Sequence, residues 1–277
     1  MASGLKVKPR AKLTFAIDDA IIRALMKTFV ILPTYNEAQN LAPMIDQLLA
    51  LAISDLNVLI IDDHSQDGTG AIAERLHTQE PERIFVMHRP GKMGLGTAYI
   101  TGFQWALDRG ADCVIQMDAD FSHSPSYLPQ FIARLAQYDV VVGSRYVPGG
   151  KLDPRWSGWR FFLSKWANGV WVRMILGTQV QDATAGFKCW SRRALEKIQL
   201  DTVRSNGYIF QVEMAYLSEK LGLSILEYPI YFEDRRIGKS KMTVPVKIEA
   251  AWRVFQIRLH YGGLKKISRV ESERVAA

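Results

Sequence analysis

The sequence has no uninterrupted apolar stretch of the length that crosses a bilayer. Its best candidate, residues 161–177, is interrupted by Lys165, Asn168 and Arg173, whereas a transmembrane helix needs roughly 18 or more predominantly apolar residues. The first 26 residues lack the continuous apolar segment and small-residue cleavage site of a secretory signal peptide. We therefore expect neither a membrane-spanning helix nor a signal peptide, and we interpret residues 1–26 as an N-terminal extension.

Cysteine is scarce as well, with two residues in 277. Cys113 and Cys189 are far apart in the sequence and have apolar or aromatic neighbours, which is typical of buried thiols in a reducing compartment and not of a disulfide framework. Acidic residues are outnumbered, because 35 basic and 28 acidic side chains give a net charge of +7. That charge favours an anionic partner such as a nucleotide, a nucleic acid or an acidic lipid surface.

Short apolar segments alternate with segments of helical spacing from Lys27 onward. The apolar segments are residues 28–32, 58–61, 84–87, 113–117 and 140–143. Between the first two, Leu41, Ile45 and Leu48 recur at helical intervals. This order predicts an α/β fold with a largely parallel sheet covered by helices. Polar clusters follow three of the strands, at residues 33–37, 62–67 and 118–120, and such sheets bind ligands at the carboxyl ends of their strands.

Two carboxylates, Asp118 and Asp120, end the fourth apolar segment. In a strand, residues i and i+2 point the same way, so both carboxylates are expected to face one hard cation and the phosphates that it carries. A solvated surface turn is the competing interpretation, because an Asp-x-Asp triplet is common in turns.

Six motifs occur in order along the chain. They are PTYNE at 33–37, IDDHSQDGT at 61–69, GLG at 94–96, DADFSHSP at 118–125, GSRY at 143–146 and DRRIGKSK at 234–241. Together they resemble the inverting, metal-dependent family 2 glycosyltransferases with a GT-A fold, and specifically the dolichyl-phosphate mannosyltransferases. The similarity covers residues 28–242, and the chain lacks the C-terminal transmembrane helices of membrane-anchored relatives. It therefore resembles the soluble catalytic type.

The resemblance implies GDP-mannose as the donor and Mg²⁺ or Mn²⁺ as the cofactor. Asp120 is the expected metal ligand, and Asp118 is expected to hold the metal, the ribose or both. Some relatives carry Gln where this chain has Ser122, a weaker ligand, so water is expected to complete the metal shell. Arg145 and Arg235 are expected to neutralise the charge of the leaving diphosphate. The donor-binding positions implied by the family are Pro33, Tyr35, Glu37, Ile61, Asp63, Asp118, Ala119, Asp120, Arg145, Arg235 and Lys241.

Several of these positions have a structural interpretation too. Residues 33–37 can be a loop before a helix with Asn36 as its cap, and Asp63 suits an ordinary turn. Arg235 and Lys241 follow a predicted strand at 225–231. Their segment is typical of a mobile lid that closes on substrate, and equally of a solvated basic turn.

The implied acceptor is a polyprenyl or dolichyl phosphate. Arg160 and Ser164 lie four residues apart on a predicted helix and can face one phosphate; alternatively, Arg160 borders an aromatic helix. A phosphate oxygen is already ionised near neutral pH, so we nominate no general base for the in-line displacement that gives a β-linked mannosyl phosphate lipid. Asp182 and Glu213 are interpreted as residues that shape the acceptor cavity or are structural.

Residues 245–261 are predicted to form a helix with Ile248, Trp252, Phe255 and Leu259 in one stripe. The stripe suits an anionic membrane surface, but such a stripe more often packs on its own domain or against a partner. We expect a catalytic domain at 27–243 and a C-terminal helix and tail at 244–277. Relatives of the soluble type rely on small membrane partner subunits. We therefore expect peripheral association with the cytoplasmic face of a membrane, which is the endoplasmic reticulum in a eukaryote and the plasma membrane in a prokaryote.

Two other functions stay open. One is a polyprenyl-phosphate glucosyltransferase that uses UDP-glucose, since the motifs do not identify the sugar of the donor. The other is a noncatalytic nucleotide-binding or nucleic-acid-binding protein. Nucleic acid is not an expected partner, because the basic residues are spread along the chain and no RNA- or DNA-binding motif occurs.

Overall fold

The computed structural model describes residues 26–155, 158–234 and 244–264. Of the expected N-terminal extension, only Met26 lies within these ranges. The boundaries proposed for the catalytic domain and the C-terminal segment stay predictions.

Nine strands lie within the described ranges. They are β1 (Thr28–Thr34), β2 (Leu56–Asp62), β3 (Ile84–His88), β4 (Cys113–Gln116), β5 (Val140–Ser144), β6 (Lys151–Leu152), β7 (Lys188–Ser191), β8 (Ile225–Pro229) and β9 (Tyr231–Phe232). Seven of them form one sheet in the order β3-β2-β1-β4-β7-β5-β8, and β6 pairs with β9. Every pair in the large sheet is parallel except those that β7 makes with β4 and β5.

Helices cover both faces of the large sheet. In the described part of the chain they are α1 (Ala38–Leu49), α2 (Thr69–Gln79), α3 (Leu95–Asp108), α4 (Leu128–Arg134), α5 (Gly158–Trp166), α6 (Arg173–Leu176), α7 (Arg192–Ile198), α8 (Phe210–Lys220) and α9 (Val244–Tyr261). A π-helical segment, Ala167–Val172, joins α5 to α6. No helix among the described residues is long and apolar enough to cross a membrane.

The predicted α/β architecture is confirmed, because all five apolar segments of the first half are strands and the sheet is mostly parallel. Strand β7 was missed, since its first residue, Lys188, suggests exposure but is fully buried. The strand predicted at 225–231 is confirmed from Ile225 to Pro229 as β8, but its extension to Tyr231 is wrong. Pro229 ends β8 at the sheet edge, where a missing N–H is tolerated, and the next residues pair with β6 as β9.

Alternate side chains of the strands fill two apolar layers. Phe29 and Ile31 of β1 belong to the layer under α3, whereas Val30 and Leu32 belong to the layer under α1, as the two-residue period of a strand requires. Helix α3 approaches β1 closely at Gly102, where a Cβ atom would lie 2.5 Å from a methyl carbon of Ile31. This close contact fixes the helix that carries several site residues.

The two cysteines lie on neighbouring strands in the core. Cys113 of β4 and Cys189 of β7 are free and fully buried, with their Sγ atoms 3.2 Å apart. Burial raises the pKa of the Cys189 thiol well above its usual value, and the neighbouring Cys113 raises it further. The expectation of buried thiols is therefore confirmed.

Candidate active site

The loops after β1 and β2 are joined by hydrogen bonds at the carboxyl edge of the sheet. The backbone N–H of Asn36 donates to Ser65 Oγ, and the Asn36 side chain accepts from the N–H of Gln66, both at 2.9 Å. The expectation that Asn36 caps α1 is wrong, because the cap position is Glu37 and the Ala38 N–H donates to an oxygen of Asp67 instead. The polar residues of this loop hold two strand ends together.

The expected base- and ribose-binding residues lie at this edge with different exposures. Pro33, Tyr35 and Glu37 are partly exposed, and Glu37 accepts a 2.8 Å hydrogen bond from Asn40. Lys92 Nζ lies 4.9 Å from the centre of the Tyr35 ring. Ile61 is fully buried in the core, so its side chain is not exposed to a ligand.

Asp63 is held by an arginine that sequence reasoning did not single out. Arg89 forms a buried ion pair with Asp63 and also donates to Thr97 Oγ1 at 2.8 Å and to the Gly94 carbonyl at 3.1 Å. Burial raises the pKa of Asp63, and hydrogen bonding from Arg89 opposes that shift only in part. Arg89 directly follows β3, and this position after a predicted strand is the sequence signal that could have indicated its role in the site. The arginine joins the β2 loop to the start of α3.

The acidic motif lies in the loop after β4, not in the strand itself. Strand β4 ends at Gln116, so strand alternation does not explain how Asp118 and Asp120 are arranged, and that part of the prediction is wrong. Asp120 is 3% exposed and accepts hydrogen bonds from the Ser122 hydroxyl at 2.6 Å and the Ser122 N–H at 3.1 Å. The Asp118 side chain is 35% exposed. Ala119, between them, is buried.

Tyr99 of α3 lies beneath the acidic loop. Its hydroxyl donates to the Met117 carbonyl at 3.1 Å and approaches Asp118 Oδ1 at 3.3 Å. Burial raises the pKa of Tyr99 well above its usual value, and the charges of Asp118 and Asp120 add to the shift. The phenol therefore stays a neutral donor close to both carboxylates.

His123 also bonds to the backbone of the acidic loop. Its Nδ1 accepts the backbone N–H of Asp118 at 3.1 Å, and its ring stacks on Phe187 with centroids 5.0 Å apart. Burial lowers the pKa of His123 to about 4. The ring is therefore neutral at pH 7, and Nδ1 is the unprotonated nitrogen because it accepts a hydrogen bond. The sequence motif at 118–125 contains His123 but does not by itself predict this contact.

Arg145 follows β5 and is bound to Asp182 through two guanidinium nitrogens. The two hydrogen bonds measure 2.7 and 2.6 Å, and Asp182 also accepts the Arg145 backbone N–H at 3.0 Å. Burial acts to lower the pKa of Arg145, but Asp182 raises it above its usual value. Glu227 of β8 fixes the Asp182 loop by accepting the N–H groups of Gln181 and Asp182. Asp182 therefore positions an arginine, and it is not placed as a base.

A buried lysine, Lys188, lies close enough to Arg145 and Asp182 for their charges to act on it. Lys188 Nζ donates to the Ala185 carbonyl and to Gln211 Oε1, both at 2.7 Å, and Gln116 donates to the same Gln211 oxygen at 2.6 Å. Burial lowers the pKa of Lys188 to about 7. The charges of Asp120, Asp182, Arg145 and Lys188 all act on His123. We call these four charged residues the charge cluster; it lies beside the carboxyl ends of β4 and β5 and the start of β7.

The expected acceptor residues are placed only in part. Ser164 of α5 accepts a 2.7 Å hydrogen bond from the hydroxyl of Tyr146, the residue after Arg145. The backbone of Arg160 lies in α5, but its side chain lies outside the described residues, as do Arg235 and Lys241. Glu213 has a structural role, since it accepts the Ser205 N–H at 2.8 Å and the Tyr261 hydroxyl at 2.6 Å.

The residues of the acidic loop fit a hard divalent cation. Asp118, Asp120 and the Ser122 hydroxyl supply only oxygen atoms, the donors that Mg²⁺ and Mn²⁺ prefer. Within the ranges described, no group of three or more His, Cys, Asp or Glu side chains could hold a metal ion. A cation at this loop therefore takes further oxygen ligands from water or from substrate phosphates.

The mostly parallel sheet carries an acidic loop after β4 and an arginine, Arg145, directly after β5. This is the architecture of a GT-A glycosyltransferase. The family model for glycosyl transferase family 2 matches residues 29–199, and the chain belongs to that family. The expected GT-A fold and family are confirmed.

Two curated relatives cover most of the chain. The polyprenol monophosphomannose synthase of Mycolicibacterium smegmatis is 43% identical over 86% of this chain and 89% of its own length. The undecaprenyl-phosphate mannosyltransferase of Micrococcus luteus is 42% identical over 81% of this chain and 91% of its own length.

Solved structures share the fold at lower identity. Mannosyl-3-phosphoglycerate synthase from Rubrobacter xylanophilus is 19% identical with a TM-score of 0.63, covering 86% of this chain and 75% of that one. A mannosyltransferase from Pyrobaculum calidifontis, solved with GDP-mannose and Mn²⁺, is 15% identical with a TM-score of 0.52, covering 91% of this chain and 79% of that one. A glucosyl-3-phosphoglycerate synthase from Mycobacterium tuberculosis, solved with Mn²⁺ and UDP-glucose, is 17% identical with a TM-score of 0.61, covering 89% of this chain and 83% of that one.

Proposed function

We propose that the protein transfers mannose from GDP-mannose to a polyprenyl or dolichyl phosphate, with inversion at the anomeric carbon. The observation that carries this proposal is the agreement of the two curated relatives, which are 43% and 42% identical and are both named for attaching mannose to a polyprenyl phosphate. The structure with GDP-mannose and Mn²⁺ supports that donor and a divalent cation for this fold.

The nucleotide is proposed to bind at the ends of β1 and β2. Glu37 and Asp63 are carboxylates that can accept hydrogen bonds from base N–H groups or ribose hydroxyls. Asp63 is oriented by its ion pair with Arg89, so it presents a fixed acceptor. Tyr35, beneath Lys92, supplies an aromatic surface at the same place.

The diphosphate is proposed to bind over the acidic loop. Asp118 and Asp120 would hold Mg²⁺ or Mn²⁺, which supplies positive charge for the leaving diphosphate. Arg145, Arg235 and Lys241 are proposed to contribute fixed positive charge to the same group. Tyr99 and Ser122 orient the two carboxylates by hydrogen bonds.

The acceptor is proposed to supply the nucleophile without a general base. A phosphate oxygen that is already ionised attacks the anomeric carbon, the bond from that carbon to the GDP oxygen breaks, and GDP leaves with the bonding electrons. Arg160 and Ser164 are proposed to hold the acceptor phosphate, since they lie one helical turn apart on α5. Single displacement turns an α-linked donor into a β-linked product.

A lipid acceptor requires contact with a bilayer, so we propose peripheral membrane association on the cytoplasmic face. Free, buried Cys113 and Cys189 are consistent with a reducing compartment. Small membrane partner subunits remain part of this proposal.

The test is transfer of radiolabelled mannose from GDP-mannose to polyprenyl phosphate by the purified full-length chain in detergent, with Mn²⁺, Mg²⁺ or EDTA. We expect metal-dependent label in the lipid extract, and the product's anomeric configuration, measured by NMR, should be β. Label from UDP-glucose alone would favour the glucosyltransferase, a candidate supported by the UDP-glucose complex of the same fold. An α-linked product would contradict single displacement.

Asp120→Asn tests the metal site within the same assay. We expect at least about a 100-fold loss of transfer, because a neutral carboxamide binds the divalent cation that stabilises the leaving diphosphate more weakly than a carboxylate does, together with weaker Mn²⁺ binding by calorimetry. Asp108→Asn is the matched control, since this exposed residue lies at the far end of α3. Unchanged Mn²⁺ binding and transfer in Asp120→Asn would remove Asp120 from the metal role.

A further inference from the structure

Large apolar side chains are exposed together on the α5–α6 segment and on α9. We call this surface the aromatic face; its members are Phe162, Trp166, Val170, Met174, Trp252, Phe255 and Leu259. Leu259 is 83% exposed, Met174 67% and Trp252 64%. Monomeric soluble proteins rarely expose a contiguous apolar patch of this kind without a binding role.

The two parts of the aromatic face form one surface. Trp171 stacks on Trp166 with centroids 5.7 Å apart and meets Phe255 edge to face at 5.5 Å. Its indole N–H also donates to the Ala251 carbonyl at 3.2 Å. Trp252 in turn lies 5.9 Å from Phe255. The half-buried Trp171 therefore joins α9 to the α5–α6 segment.

The orientation of α9 is fixed by its other side. Val254, Ile257 and Tyr261 are each at most 5% exposed, and the Tyr261 hydroxyl donates to Glu213 at 2.6 Å and lies 3.0 Å from the Thr202 carbonyl oxygen. At about 100° per residue, these three residues lie roughly 160° from the exposed stripe of α9. The interpretation that the stripe packs on its own domain is therefore wrong for Trp252 and Leu259, whereas Phe255 packs in part against Trp171.

The two segments that carry the aromatic face have a net positive charge. Residues 158–176 contain three basic and no acidic residues, and residues 244–264 contain three Lys or Arg against a single acid, Glu249. Glu249 is itself paired with Arg253 at 2.7 Å. Exposed tryptophan, phenylalanine and leucine on segments with a net positive charge match the headgroup region of an anionic bilayer, where aromatic side chains insert and basic ones meet lipid phosphates.

The aromatic face and the candidate acceptor site share helix α5, with Phe162 and Trp166 roughly 160° from Ser164 around its axis. Phe162 and Trp166 are on the same helix as Ser164, whose hydroxyl accepts the hydrogen bond from Tyr146. Tyr146 follows Arg145 of the charge cluster. A surface that rests on the bilayer at α5 therefore brings the helix that carries Ser164 to the lipid headgroups.

We propose that the aromatic face is the membrane-docking surface and that it inserts into the headgroup layer of an anionic lipid bilayer. The helix that the face shares with the acceptor site is relevant because of the function proposed above. Docking itself depends on the exposed side chains and their charge, so it can be measured without any substrate.

The first experiment measures co-flotation of the full-length protein with vesicles that contain no polyprenyl phosphate. We expect binding to vesicles of phosphatidylcholine with 30% phosphatidylglycerol, weaker binding to phosphatidylcholine alone, and loss of binding as salt is raised. Trp252→Ser/Leu259→Ser should bind at least about tenfold more weakly. The control is Met93→Ser, which removes a 54% exposed side chain outside the face and should bind like the wild type.

A charge variant and a fold check complete this experiment. Lys165→Glu on α5 should weaken binding to anionic vesicles and leave binding to neutral vesicles unchanged. Each variant should keep the melting temperature of the wild type, because its side chains are exposed. Equal vesicle binding by the wild type and the double variant would overturn the proposal. So would a stable dimer that only the double variant dissociates, since a second copy would then cover the face.

The second experiment separates docking from catalysis. With polyprenyl phosphate in vesicles, the double variant should lose transfer in proportion to its lost binding. With a short, water-soluble prenyl phosphate, it should match the wild type. Equal loss with both acceptors would contradict a docking role. If the wild type transfers mannose to neither acceptor, the proposed function fails, whereas the vesicle experiment still decides whether the aromatic face docks.

Discussion

The buried ion pair between Arg145 and Asp182 gives the sharpest test of how the site is held together. The Arg145 side chain is 10% exposed and that of Asp182 is fully buried, with their closest atoms 2.6 Å apart. Asp182→Asn keeps the size of the side chain and one acceptor oxygen but removes the negative charge. It leaves a guanidinium ion in a desolvated position without its counter-charge.

The expected cost follows from that desolvation. Removing one partner of a buried ion pair costs roughly 3–5 kcal/mol, because the remaining charge stays away from water. A surface pair is worth about 1 kcal/mol or less. The matched control is Glu196→Gln, whose partner Arg192 lies 2.8 Å away with both side chains at least 34% exposed. Arg192 also keeps its bonds to the carbonyls of Ala111 and Leu107.

Urea unfolding at pH 7 measures both variants against the wild type. Asp182→Asn should lower the free energy of unfolding by several kcal/mol and Glu196→Gln by less than about 1 kcal/mol. Adding Arg145→Met to Asp182→Asn should recover about 1–3 kcal/mol relative to the sum of the single changes, since the unpaired charge is gone. Equal costs for Asp182→Asn and Glu196→Gln, with additive single changes, would refute the reasoning that Arg145 is desolvated and held by Asp182.

Two further predictions concern stability. Gly96→Ala should lower the free energy of unfolding by about 1–3 kcal/mol in urea titrations, because its Cβ would lie 2.2 Å from the Ser205 carbonyl oxygen. The control is Gly91→Ala, whose Cβ would have no heavy atom within 4 Å, and it should change that free energy by no more than about 0.5 kcal/mol. Equal effects of the two substitutions would contradict the close contact at Gly96. Burial lowers the pKa of Lys188 to about 7, so above pH 7 the unfolded chain binds more protons than the folded one and the free energy of unfolding rises with pH. Relative to Lys188→Met, the wild type should gain about 1.5 kcal/mol in free energy of unfolding between pH 7 and 8.5. A difference between the two proteins that stays constant with pH would show that the amine stays charged.

Much of the fold could be predicted because its signals are local. The five apolar segments of the first half became β1 to β5, since strands buried on both faces are continuous apolar runs. Strand β7 could not be predicted in this way. Lys188 is charged in the sequence but lies under the site, where Ala185 and Gln211 satisfy its amine.

The candidate site, like the fold, could be predicted from the sequence only in part. The motifs predicted Asp118 and Asp120 as neighbours, but the strand argument for their arrangement failed because β4 ends at Gln116. Arg89 and His123 act through contacts with Asp63 and the Asp118 backbone. The Arg89–Asp63 contact has no local signal, because it depends on how two separate loops meet at the sheet edge, whereas His123 bonds to the Asp118 backbone within one loop.

The sequence alone determined the alternation of strands and helices, the family motifs and the positive charge, since each is written in residue order and spacing. Only the tertiary structure decided that Asp182 binds Arg145, that Lys188 is buried and that α9 turns Trp252 and Leu259 outward. The physical reason is that burial and ion pairing join segments distant in the chain. The free energy of such a contact depends on the surroundings that folding creates, and the identity of a single residue does not specify them.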